Sequence, residues 1–376
     1  MTTTEDEVDP NDGKISLREA MDQVNLSDAE GNILLQGGKE YRLTKCGTTD
    51  DDANRNGDLD HLSQGLLTIS GNGATIRQTC PGARVIDQFG AAQLNLNDLT
   101  ITGGDAATEP GGGVFIRGLG GVNVKNSNIY GNKSAGAGGG IASQGDVVLT
   151  GSSVSLNFAR ELGAGIASFT SATLVNSNVS GNTVGEQSRI GIGGVAAEHA
   201  VTLIYSTVQD NSAPNVDVRS GALSAFGSVI AVPRGAGKSC GALKEPTVSW
   251  GYNFAGDASC GFGRNPTDKG NGGDPKLRPQ PPERGIVPLV HPLADSPLID
   301  AIPIAACVPK GLKAGVLPPW ANLQADMRGV ARPQGKGCDI GAVEVASAQP
   351  QTPSHAGGGH AVVAPRRKPT HHRKRK

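Results

Sequence analysis

Aromatic residues are scarce: the 376 residues include 7 Phe, 4 Tyr and 2 Trp. That is too few aromatic anchors for one large conventional core. No run approaches the roughly 18 consecutive apolar residues that read as a membrane-spanning helix. No two cysteines have the CxxC spacing that zinc ribbons use. The first residues, MTTTEDEVDP, are acidic and lack the basic-then-apolar order of a secretory signal. Glycine is abundant instead, with 55 residues, about twice its average share. Glycine together with β-branched aliphatics suits a narrow, tightly wound interior with many sharp turns.

Six cysteines fall as three sequence neighbours, and the favoured disulfides are Cys46 with Cys80, Cys240 with Cys260 and Cys307 with Cys338. Other connectivities remain open on sequence alone. Disulfides belong to oxidising compartments. The expected location is therefore extracellular or on a cell surface, with a leader removed ahead of Met1. Charge is distributed unevenly. Residues 349–376 carry seven cations, Arg366, Arg367, Lys368, Arg373, Lys374, Arg375 and Lys376, and no acid, so the preceding residues hold a net −8 against −1 for the whole chain. A basic, Pro- and Gly-containing tail over 346–376 is expected to be disordered and able to contact anionic polymers.

The chain also repeats itself. VKNSNIYGN (124–132), LTGSSVSLN (149–157), LVNSNVSGN (174–182) and LIYSTVQDN (203–211) recur at spacings of 25, 25 and 29 residues, with an earlier copy at 96–104. GGGV, GGGI, GAGI and GGV keep step, ending at Val114, Ile141, Ile166 and Val195. A fixed period of this length marks a solenoid. Each repeat holds short alternating apolar runs and no 3.6-residue pattern, which selects stacked β coils over helical repeats.

In one column stand Ile129, Val154, Val179 and Val208, expected as an interior ladder; two residues earlier come Ser127, Ser152, Ser177 and Ser206. Asn132, Asn157, Asn182 and Asn211 follow each strand. They are expected to form tight left-handed bends and to hydrogen-bond along the axis. The expected fold is all-β, a right-handed parallel β-helix. Its expected organisation is an N-terminal segment (1–32), coils over 33–232, an irregular closing region (233–345) and the tail (346–376). Ser16 and Glu19 have capping-box spacing, and Leu17, Ala20, Met21 and Val24 recur at helical spacing, predicting a short helix over the open end of the first coil.

Residues 13–20, Gly-Lys-Ile-Ser-Leu-Arg-Glu-Ala, resemble the Cys-Ser-Leu-Arg-Glu-Ala motif of secreted bacterial right-handed β-helix proteins with a pectin-lyase-like fold. Ile15 stands where that motif has cysteine. HPLADSPLIDA (291–301) and DMRGVARPQGKGCDIGAVE (326–344) resemble the C-terminal choice-of-anchor Q region of the same architectures. The resemblance implies fold and surface display, and no particular activity, because one fold hosts many functions.

DDANRNGDLD (51–60) carries the one recognisable metal pattern, with Asp52, Asn54, Asn56, Asp58 and Asp60 around Gly57. It matches the first positions of a calcium-binding EF-hand loop, but Ser63 stands where the closing glutamate belongs, so any calcium binding is expected to be weak. The outward column Arg117, Gln144, Phe169 and Glu198 is mixed, with its base and acid roughly 14 Å apart at about 4.8 Å per coil. Arg160, Glu161, Glu186, Arg189 and His199 are further loop charges that no pattern gathers. Catalytic residues are thus not identifiable, and Trp250 and Trp320 are expected as packing anchors. The expected function is a noncatalytic secreted or cell-surface β-helix for adhesion or display, with a polysaccharide or cell-wall polymer as partner. The alternatives are a carbohydrate-active enzyme, either a calcium-dependent polyuronide lyase of pectate type or a glycoside hydrolase, and a structural spacer.

Overall fold

Residues at the same phase of successive repeats lie side by side in parallel strands. Ile129 pairs with Val154, Val154 with Val179 and Val179 with Val208. All four side chains are completely buried. The computed structural model describes residues 1–47, 53–186, 188, 191–212, 214–235, 237–280, 289–312 and 315–345. Within them the chain is a right-handed parallel β-solenoid.

Each coil contributes to three faces. Val147–Thr150, Ser153–Ser155 and Ile166–Ser168 represent the first, second and third. Leu67–Gln78 and Leu94–Thr102 run through the bend between the first two faces and join them into one sheet. A narrow strip of two-residue strands, such as Lys133–Ser134 and Phe158–Ala159, lies between the second and third. The coils continue past residue 232, because Val248–Gly251 and Phe254–Ala255 add a further parallel rung.

Two polar ladders run through this apolar interior. Asn132 Nδ2 donates to Asn157 Oδ1 (3.1 Å), Asn157 to Asn182 (3.0 Å) and Asn182 to Asn211 (2.8 Å). The same amides donate to carbonyls of the coil below, so their hydrogen-bonding groups are used at full burial. The second ladder is made by serines. The backbone N–H of Ser127 donates to Ser152 Oγ, that of Ser152 to Ser177 and that of Ser177 to Ser206, each at 3.2 Å.

The Asn column does not itself form the left-handed bend expected of it. Positive φ falls one residue earlier, at Gly131, Leu156, Gly181 and Asp210. That residue turns the corner, which lets the Asn side chain point inward to the ladder. The Gly columns have a related cause. A Cβ on Gly165 would stand 2.9 Å from Asn182 Nδ2 and 2.9 Å from Val179 Cγ1, so the ladder leaves room only for hydrogen. Asn182→Ala is expected to cost about 1–3 kcal/mol, since it strands Val154 O and the donors of Asn157. A chemical-denaturation midpoint unchanged from the parent would contradict this.

Helix α1 (Leu17–Asn25) has the predicted capping box, with Ser16 Oγ accepting from Glu19 N and Glu19 accepting from Ser16 N. It buries Leu17 and Met21 and packs on Gly31–Leu34 and Leu59–His61, at the start of the first and third faces. The three expected disulfides are present. The closing region wraps back along the solenoid. Leu298, Ile302, Leu323 and Ile340 share a second core with Val175, Ile204, Tyr205 and Phe226 at the bend between faces. Within the 326–344 motif, Arg332 is ion-paired with Glu344 at 2.8 Å, both fully buried, and lies 4.2 Å over the Tyr205 ring. No helix among the described residues is long and apolar enough to cross a membrane.

Candidate functional site

The third face begins with three short strands, Leu59–His61, Ile86–Gln88 and Val114–Ile116. Their register pairs Leu59 with Ile86 and Ile86 with Val114 inside the solenoid. Strand alternation then places Asp60, Asp87 and Phe115 side by side on the outer surface of the sheet. Two carboxylates on adjacent rungs repel each other unless cations are supplied.

Two arginines supply them. Arg117 holds Asp87 with both ends of its fork, Nε to Oδ1 at 3.0 Å and Nη2 to Oδ2 at 2.8 Å. Its guanidinium lies 4.7 Å from the ring centroids of both Phe89 and Phe115. Arg84, buried, contacts Asp87 and approaches Asp58 Oδ2 at 3.5 Å. Its Nη2 reaches Glu109 Oε2 at 2.7 Å, and Arg117 also meets Glu109. Burial alone would push the Glu109 carboxyl up, but hydrogen bonds and charge from the two arginines outweigh it and hold the group below its ordinary range.

Asp58, Asp60 and Asp87 present ligand oxygens within 4.8 Å of one another, and all three are completely buried. This hard-oxygen set is the chemistry that calcium or magnesium takes. Its charge balance points the same way, because four carboxylates face two guanidiniums. Together these residues could hold a divalent ion.

The expected calcium loop is only partly realised here. Asp58 and Asp60 belong to the cluster, and Asp52 lies outside the described residues. Asn54 is turned to the backbone, accepting from Asp60 N (2.7 Å) and donating to Asp60 O (2.9 Å), with φ 54°. Asn56 lines an adjoining cleft instead. The loop carbonyls are taken by a side chain from α1. Arg18 donates to Asp58 O at 3.0 Å, Gly57 O at 2.9 Å and Asn54 O at 3.4 Å, and it pairs with Asp6 at 2.5 Å. A protein cation therefore organises the loop from within, and the carboxylates gather one step further on, over the sheet.

His61, next to Asp60, points the opposite way by the same alternation. It is buried inside the solenoid with Nδ1 2.9 Å from Gln88 Oε1, and burial lowers its pKa against the opposing pull of that hydrogen bond. Sequence reasoning missed Asp87, Arg84 and Glu109. Aligning LDH (59–61) with IDQ (86–88), 27 residues on, would have paired Asp60 with Asp87. Among the described residues, Arg160, Glu161, Glu186 and His199 form no ion pair with one another. Arg189 and the tail lie outside the described residues, and Glu198 stands 4.0 Å from Arg219 on the surface.

Comparison with protein-family models, with curated proteins and with solved structures gave no match. The N- and C-terminal motifs therefore carry no family assignment beyond the parallel β-solenoid itself.

Proposed function

We propose that this chain is a secreted or cell-surface β-helix that binds a polysaccharide or cell-wall polymer without transforming it. The proposal divides the chain into an N-terminal cap (1–32), coils that start at 33 and run past 232 through the Val248–Ala255 rung, a closing region from there to 345 and a tail (346–376). The observation that carries it is the state of the outer-face arginines. A lyase base must be free to take a proton beside a bound uronate, whereas Arg84 and Arg117 are both engaged by carboxylates. Calcium at Asp58, Asp60 and Asp87 would then be a staple of the first coils, closed from solvent rather than open to substrate. One feature favours the lyase reading: a cleft of about 530 Å³ lined by Arg84, Arg117, Glu109 and Phe89 beside the carboxylates.

Calcium saturating a hundredfold above its Kd should stabilise the fold by about 2.7 kcal/mol, seen as a Tm rise that a chelator reverses. Asp58→Asn with Asp60→Asn should abolish the rise, while Asp52→Ala should keep it, separating the strand cluster from an EF-hand-like loop. The opposite pattern would move the site to the loop.

Binding itself is tested by retention on immobilised cell wall and on heparin across a salt gradient, comparing the full chain with one ending at Ala348. Attachment through the tail should weaken as salt screens the seven cations. The solenoid's own contribution should survive truncation on cell wall. Loss of all retention on truncation would reduce the coils to a spacer.

A further inference from the structure

Where the closing region wraps back, it leaves a groove of about 460 Å³ against the bend between the first and second faces. That volume is within the range of small-molecule sites. Trp320, expected as a packing anchor, lines it and is 40 % exposed. Its ring is held in place, since Nε1 donates to Thr150 Oγ1 at 3.3 Å, 170 residues away in sequence. Trp250, the second tryptophan of the chain, instead packs on the second core.

The rest of the lining is polar and varied. Asn126 Nδ2 donates to Asp98 Oδ1 at 3.2 Å, at the exposed edge. Asn176, 96 % buried by its 4 % exposure, spends its amide hydrogens on Asn322 O (2.7 Å) and Ala325 O (2.9 Å). Its Oδ1 has no partner among the described residues. Arg328 is neutralised by Asp326 at 2.7 Å. Lys125 and Asp98, one charge of each sign, make no ion pair among the described residues and leave the lining electrically balanced.

We infer that this groove is a binding subsite for a neutral oligosaccharide. The inference rests on the polymer-binding reading and gives it a location. A pyranose has a flat C–H face that packs on an exposed indole, and hydroxyls that both donate and accept. Trp320 offers the first surface. Lys125 and Asn126 offer donors, and Asp98 an acceptor, for the second. An apolar ligand would cover Lys125 without giving it a partner, and an anionic chain would meet Asp98 with no surplus cation to offset it.

The presence of only two tryptophans makes the test direct. In Trp250→Phe all indole emission comes from Trp320. Titration with malto-, cello-, xylo- and manno-hexaose should give a saturable emission shift with at least one sugar. Lys125→Ala in that background should weaken it at least tenfold with Tm unchanged. Hexagalacturonate should give no shift. A shift with hexagalacturonate alone would overturn the neutral class, and no shift with any of the five would overturn the subsite. Trp320→Ala in the otherwise native chain distinguishes the two levels of the proposal. If it keeps full retention on cell wall, polymer binding stands and this groove is not where it occurs.

Discussion

Val154→Asp is expected to cost about 4 kcal/mol or more and to lower the denaturation midpoint of the coils sharply. Val154 is completely buried between Ile129 and Val179 on neighbouring rungs. A carboxylate there has no cation and no water, and an unpaired buried charge is among the most destabilising changes known. The stack worsens the effect, because inside the solenoid each coil leans on its two neighbours and a break in one exposes the edges of two. Gln144→Asp is the matched control. Gln144 follows the third-face strand Ile141–Ser143 and is half-buried at the surface, so the same acid there should change the midpoint by no more than about 0.5 kcal/mol. Equal midpoints for the two variants would mean that the strand faces are assigned the wrong way round.

Arg18→Leu is the second large effect, expected at about 3–5 kcal/mol. Leucine matches the apolar stem but removes the fork that holds Asp6 and three loop carbonyls. Asp6 would keep only the backbone donors Thr44 and Lys45, at 2.6 and 2.7 Å, as a buried carboxylate without its cation. Hydrogen exchange should show residues 53–60 losing protection first. Lysine should rescue poorly, because an ammonium cannot reproduce a planar fork reaching several acceptors. Full stability in Arg18→Lys would show that charge alone, and not the fork, holds the loop.

The legible parts of the fold were those written as repetition. Ile129, Val154, Val179 and Val208 announced the interior, and the Asn column announced a ladder along the axis, because stacked identical side chains solve the same problem once per coil; the Ser column showed as a repeat, and its ladder came only with the structure. The capping box at Ser16 and Glu19 was equally local. The last coil was harder to see. Val248–Gly251 and Phe254–Ala255 lack the repeat's serine, and Asn253 ends that ladder by accepting from Ser228 N with its own side chain.

The candidate metal cluster was half legible. Asp58 and Asp60 stood out through a loop pattern that the fold uses differently, with Arg18 inside it. Asp87 carried no motif and becomes a neighbour only through strand register. The Trp320 groove was invisible for a similar reason, since it joins Thr150 to a segment 170 residues later.

The central claim is that this solenoid holds a polymer and returns it intact. The most direct measurement supplies the calcium-loaded full chain with pectate, alginate and glycosaminoglycans, and follows both absorbance of unsaturated uronate products and new reducing ends. The account predicts neither signal above a heat-killed control. Sustained turnover above that control, lost in Arg117→Ala, would contradict it and place a lyase or hydrolase centre in the cleft beside Arg84 and Glu109.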